Sequence, residues 1–155
     1  MISLIRKGTK EDLPAALELI KELARYENAP DEVTVTVEIL EKDGFGAQPA
    51  FDFFVAEIQG NISGIALYYT KYSTWKGKCI FLEDIIITEK FRKKGIGNQL
   101  FNAVANVAKA LNSERLEWQV LEWNDPAIQF YKKLGSNFDN EWINCKLTKQ
   151  QLDMY

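Results

Sequence analysis

The 155-residue sequence predicts an α/β fold, a mixed central β-sheet flanked by helices on both faces, in a single domain over residues 1–155. Three observations carry this. Segments of helical and of β-type apolar patterning alternate in the order β-α-α-β-β-β-α-β-α-β. The length suits one domain with a core of its own. In mid-chain, a basic glycine turn, Arg92-Lys93-Lys94-Gly95-Ile96-Gly97, joins an apolar strand to an amphipathic helix.

The elements follow in order. Residues 2–7 read as a strand. Thr9, before Glu11-Asp12, caps a helix that runs to about Tyr26 with Leu13, Leu17, Ile20, Leu23 and Ala24 on one stripe. Pro14 lies near its first turn, where a missing N–H does no harm. Asn28-Ala29-Pro30 breaks this helix, and 36–42 forms a short second one ending at Asp43-Gly44-Phe45-Gly46. The β-rich runs 51–58 and 62–72, separated by Gln59-Gly60-Asn61, are a hairpin. The loop Ser73-Thr74-Trp75-Lys76-Gly77 leads into the central strand, 80–88. After the glycine turn, Ile96, Leu100, Val104, Val107, Ala108 and Leu111 share one helix face. A strand at 115–121 follows, then a helix opened by Asn124 and Pro126 and stopped by Gly135, then a last strand near 141–147. No repeat, linker or low-complexity segment is visible.

Composition narrows the chemistry. The net charge of −3 and pI near 5.1 disfavour a general nucleic-acid binder and suit a cationic substrate. Histidine is absent, which removes Ser-His-Asp and Cys-His catalysis and the common histidine metal sites; no metal is expected. Acid–base work then falls to carboxylates, tyrosine, lysine or water. Cys79 and Cys145, far apart in apolar strand-like contexts, read as small buried thiols rather than a disulfide or nucleophile. A reducing, cytoplasmic setting is expected. The start Met1-Ile2-Ser3-Leu4-Ile5-Arg6 lacks a long apolar run and no stretch approaches membrane-span length, so a soluble, unprocessed protein without a membrane partner is expected.

The glycine turn makes a phosphate seat. Gly95 and Gly97 let the backbone approach a ligand, and the first-turn N–H groups of the following helix face an anion beside three cations. A P-loop needs Gly-Lys-Ser/Thr where this chain has Gly97-Asn98, and the dinucleotide fingerprint needs a small residue at Leu100. Nucleoside triphosphates and NAD are therefore disfavoured. The bland reading is a tight strand-to-helix turn.

On the central strand, Glu83 and Asp84 interrupt an apolar run, so at least one carboxylate faces a side its neighbours would bury. Either a Lys or Arg from a facing element pairs with it, or it lines a cleft and meets an amine. A primary amine with a pKa of about 10.4 has its lone pair free in about one molecule in a few thousand at pH 7, a cost of roughly 4.6 kcal/mol. A carboxylate that attracts the ammonium and drains its proton offsets that cost.

With Trp123-Asn124-Asp125-Pro126 and Phe130-Tyr131 further on, these residues resemble the GNAT superfamily of acetyl-CoA-dependent N-acetyltransferases, as does the element order. The resemblance implies that Arg92, Lys93, Lys94, Gly95, Ile96, Gly97 and Asn98 hold the pyrophosphate of coenzyme A. It also implies that Ile85, Ile86 and Ile87 pair with the pantetheine, and that the helix carrying Asn124, Asp125, Pro126, Ala127 and Tyr131 contacts the cofactor. Glu83 is the implied base and Tyr131, in Asn-x-Pro…Phe-Tyr-x-x-x-Gly, the implied general acid for the departing thiolate. Lys21–Glu27, Asp43-Gly44-Phe45-Gly46, Leu82-Glu83-Asp84 and Leu121-Glu122-Trp123-Asn124 are similar to the diamine N-acetyltransferase branch. There Tyr26, Glu27, Ser73, Trp75, Glu83, Glu117, Trp118 and Gln119 would lie at or near the amine, and a homodimer is usual. The loop Ser73-Thr74-Trp75-Lys76-Gly77 resembles thialysine N-acetyltransferases more than the spermidine/spermine type, which has an acidic residue at Ser73. The alternatives are polyamine acetylation, protein N-acetylation and an acyl-CoA sensor without turnover.

Overall fold

The computed structural model describes residues 2–155; Met1, part of the N-terminal reading above, lies outside them. The chain forms two compact units, Met1–Gln119 and Val120–Tyr155.

The first unit is built on a five-stranded sheet in the order β1-β2-β3-β4-β5. β1 (Leu4–Lys7), β2 (Asp52–Ile58), β3 (Asn61–Ser73) and β4 (Gly77–Ile87) are antiparallel neighbours, and β5 (Leu116–Glu117) joins β4 in parallel. The β2–β3 hairpin closes through Gln59 and Gly60, both with positive φ, the conformation whose twist matches two-residue hairpins. The strand expected at 115–121 is only two residues long, pairing Leu116 with Ile80 and Glu117 with Phe81. Past Phe81, no strand of this unit's described residues covers that edge of β4.

Helices lie on both faces. α1 (Leu13–Tyr26) and α2 (Val37–Phe45) bury Leu13, Leu17, Leu19 and Leu40 against Phe53, Val55, Ile65 and Ile86. α3 (Ile96–Ala110) covers the other face with Leu100, Phe101, Val104 and Ala108. Neighbours on a strand face opposite ways, so Ile65 joins the α1 cluster while Gly64 turns toward α3. A Cβ on Gly64 would lie 3.1 Å from Leu100 Cδ1 and 2.9 Å from the Ile86 carbonyl, so only glycine lets α3 approach this closely.

Local caps agree with the sequence. Thr9 and Asp12 form a capping box that opens the 3₁₀ turn Lys10–Asp12 leading into α1. Arg6 holds buried Asp12 in a fork of 2.7 and 3.0 Å and keeps its carboxyl below the usual range. Thr36 caps α2, which runs three residues past the expected end to Phe45.

In the second unit, α4 (Asp125–Lys133) starts at an Asn124 cap, with the side chain accepting from the Ala127 N–H at 3.4 Å, and stops at Gly135 with φ 78°. The strand expected near 141–147 does not form. Trp142, Ile143 and Leu147 have the right side chains but are exposed and have no ladder partner, without which an extended segment is not a strand. For the same reason Cys145 is exposed rather than buried as expected, whereas Cys79 is buried. Instead, a short helix α5 (Lys149–Leu152) is opened by a Thr148–Gln151 capping box. Among the described residues no helix is long and apolar enough to cross a membrane.

Candidate active site

The site begins with an irregularity in β4. Leu67 of β3 pairs with Asp84 while Tyr68 pairs with Leu82, so Glu83 is the extra residue of a β-bulge. A regular strand would send Glu83 and Asp84 to opposite faces; the bulge turns both toward the α1 face. Asp84 lies opposite Leu67, which packs on the α1 cluster, and Glu83 accepts a 2.9 Å hydrogen bond from the Tyr69 hydroxyl on that same face.

Glu27, the C-cap of α1, lies close enough to Asp84 for its charge to be felt there. Burial, then Glu83, then Glu27 push the Asp84 carboxyl up to about 6. Burial also raises Glu27, and burial together with Glu83 lifts the Tyr69 hydroxyl to about 12. Among the described residues no Lys or Arg forms an ion pair with Glu27, Glu83 or Asp84. The Lys or Arg partner that the sequence leaves open for these carboxylates is therefore not among those residues. Three carboxylates at the negative end of α1 form a seat for a cation, and one of them, Asp84, titrates just below neutral pH, so that at pH 7 it is free to accept a proton.

Sequence patterning marks the Glu83-Asp84 pair without choosing between its members, the resemblance favours Glu83, and Tyr69, whose role depends on cross-strand register, is not marked at all.

The other expected amine-side residues divide. Tyr26 ends α1 beside Glu27. Glu117 lies opposite Phe81 with Lys71 at 3.6 Å and Arg115 at 3.9 Å, long ion pairs that leave its buried Oε2 without a hydrogen-bond partner among the described residues. Trp118 packs edge-on to Phe101 at 5.2 Å, and Gln119 ends the unit exposed. Ser73 shapes its own loop: its hydroxyl oxygen accepts from the Trp75 and Lys76 N–H groups at 3.2 and 3.1 Å and from Arg115 at 2.8 Å. That turn leaves Trp75 and Lys76 exposed.

The glycine turn has the geometry of an anion cradle. Gly95 has φ 81°, Lys93 φ 60°, and a Cβ on Gly95 would meet nothing within 4 Å, so the space above the turn is open. The first helical bond of α3 is Gln99 N–H to the Gly95 carbonyl, leaving the N–H groups of Ile96, Gly97 and Asn98 directed outward. Lys93 and Lys94 are exposed beside them. Arg92, about a third exposed, is engaged by the chain: its Nε donates to the Ile87 carbonyl at 2.9 Å and its guanidinium lies 5.3 Å from the Tyr26 ring centre. The half-buried Ile85 and Ile87 and buried Ile86 lie on the part of β4 that β5 leaves uncovered.

In the second unit, Asn124, Asp125, Pro126 and Ala127 form the first turn of α4 and its cap. Tyr131 is on the same helix, 7% exposed, its ring 5.3 Å from that of Phe130.

A strand ending in a glycine turn that presents helix N–H groups, beside a carboxylate-lined cation seat, is the arrangement of an acyl-CoA-dependent amine acyltransferase. Residues 15–136 match the Acetyltransferase (GNAT) family, and the chain belongs to it: it is an acetyl-CoA-dependent N-acetyltransferase acting on amines. More particularly, it is 42% identical to the thialysine N-epsilon-acetyltransferase of Bos taurus, over 86% of this chain and 83% of that one. It is 34% identical to the spermidine/spermine N(1)-acetyltransferase-like protein 1 of Homo sapiens, over 96% of this chain and 23% of that one. The aminoglycoside N-acetyltransferase AAC(6')-Iy in complex with CoA has the same fold, at a TM-score of 0.75 and 20% identity over 94% of this chain and 95% of that one.

Proposed function

We propose that this acetyltransferase moves the acetyl group of acetyl-CoA directly to the terminal amine of a small lysine-like zwitterion of the thialysine type. The observation that carries the reading is the trio Glu27, Glu83 and Asp84 at the β4 bulge, which no cation of the described residues neutralises. Glu27 and Glu83 attract the ammonium, and Asp84, with its carboxyl near 6, takes the proton directly or through water. In this proposal Asp84 is the base, and Glu83 beside it helps to hold the ammonium. Tyr131 protonates the departing thiolate.

The open turn at Gly95 and the outward N–H groups of Ile96, Gly97 and Asn98, with Lys93 and Lys94, fit a pyrophosphate. Coenzyme A, when bound, supplies the acetyl thioester. Ile85, Ile86 and Ile87 offer the pantetheine a strand edge, the Ile87 carbonyl being already engaged by Arg92. Asn124, Asp125, Pro126 and Ala127 complete the cofactor contacts in this reading.

The zwitterion preference rests on the thialysine relative and on the loop at Trp75 and Lys76, where an exposed lysine pairs with a carboxylate and repels a polycation. A homodimer in a reducing cytoplasm belongs to the same proposal. The exposed apolar segment around Trp142 and Ile143 supports the former, and two free thiols support the latter. An acetyl-CoA consumption assay over a panel of lysine analogues, diamines, polyamines and peptides tests the substrate. Turnover of spermidine without turnover of thialysine refutes the zwitterion assignment.

A further inference from the structure

We infer that Glu22 of α1 is a positioning residue that sets the shape of the pyrophosphate turn from the amine-side helix; this rests on the reading of Arg92 to Asn98 as that turn. Glu22 is half-buried, and its carboxylate collects three donors from the segment 88–92, which leaves β4 and opens the glycine turn. Oε2 accepts from the Thr88 hydroxyl at 3.0 Å. Oε1 accepts from the Glu89 N–H at 3.0 Å and from Arg92 Nη2 at 3.4 Å.

One carboxylate thus fastens a hydroxyl, a backbone amide and a guanidinium, contacts separated by 66 to 70 positions in sequence. The Arg92 guanidinium is in turn held by the Ile87 carbonyl and the Tyr26 ring. The direction in which the chain leaves β4 is therefore set by α1. The glycine turn beyond it has little tolerance, because Lys93 and Gly95 both have positive φ and their geometry decides where the N–H groups of Ile96, Gly97 and Asn98 point.

A carboxylate beside a phosphate seat is electrostatically unfavourable. Here its charge is answered by Arg92 and two further donors, so its contribution is geometry rather than potential. Glu22 also lies one helical turn before Tyr26, so the helix that ends in the amine seat is tied to the cofactor turn through Glu22 and, by the Tyr26 ring, through Arg92.

The test compares Glu22→Gln, Glu22→Ala and Thr88→Val with wild type in calorimetric titration with coenzyme A and in steady-state kinetics. Glu22→Gln keeps one acceptor, and Thr88→Val removes a single bond, so both remain informative should Glu22→Ala fail to fold. The expected result is a rise in Kd for coenzyme A and in KM for acetyl-CoA of about tenfold in Glu22→Gln, more in Glu22→Ala, with kcat within about threefold. A merely structural role would lower the melting temperature and the titration stoichiometry while leaving Kd unchanged, and that outcome overturns the inference. Gly95→Val runs in parallel. If it loses coenzyme A while the Glu22 and Thr88 variants bind normally, the positioning role is refuted and the site stands; if Gly95→Val binds normally, the site reading falls and takes the inference with it.

Discussion

Replacing Asp84 by Asn should make the protein more stable and less active, with a pH dependence that identifies the cause. The carboxyl is half-buried and feels the charges of Glu83 and Glu27, and its pKa rises from 3.8 to about 6. The folded chain therefore holds this proton more tightly than the unfolded chain does. No penalty exists below 3.8, where both states are protonated. It grows as pH rises from 3.8 to about 6 and is complete above that. At about 1.4 kcal/mol per tenfold in affinity, the displacement corresponds to about 3 kcal/mol, and partial access to water reduces this to about 1–2 kcal/mol. Urea denaturation of wild type and Asp84→Asn at pH 8 and pH 3.5 should show the variant more stable by that amount at pH 8 and equal at pH 3.5. In the same preparation kcat/KM at pH 7 should fall by about 10²–10⁴-fold, because the amide can neither attract the ammonium nor accept its proton. A variant no more stable than wild type at pH 8 would refute the claim that Asp84 is held against like charges; undiminished kcat/KM would refute its role as base.

Three further outcomes are expected. Tyr131→Phe keeps the packing against Phe130 and deletes one proton, so turnover should fall by about 10²–10⁴-fold while calorimetry shows unchanged affinity for coenzyme A. Gly95→Val places a β-branched residue at φ 81°, costing about 1–2 kcal/mol of strain and distorting the cradle; coenzyme A binding should be lost in titration while circular dichroism stays native. Lys76→Asp should shift the ratio of kcat/KM values from thialysine toward spermidine, read in a competition assay, because it replaces a repulsion with an attraction on an exposed loop.

Much of this molecule is legible from local chemistry. The helical stripes of α1 and α3, the Gln59-Gly60 hairpin, the Asn124 cap and the Gly95 turn are each specified within a few residues, since caps, positive φ and periodicity depend on neighbours in sequence. The bulge is different in kind: it is a mismatch between β3 and β4, and no property of Glu83-Asp84 alone announces that both carboxylates will face α1. Tyr69 enters the site through that same register, and Arg92 is held by the Ile87 carbonyl, Glu22 and the Tyr26 ring, none of which is its neighbour in sequence. The segment near 141–147 carries a strand's side chains but lacks a neighbour, and a strand is a pairing before it is a pattern. Side-chain types in short range thus announce what chemistry the chain can offer; contacts across tens of residues select which groups meet, because burial and pairing belong to the folded chain as a whole.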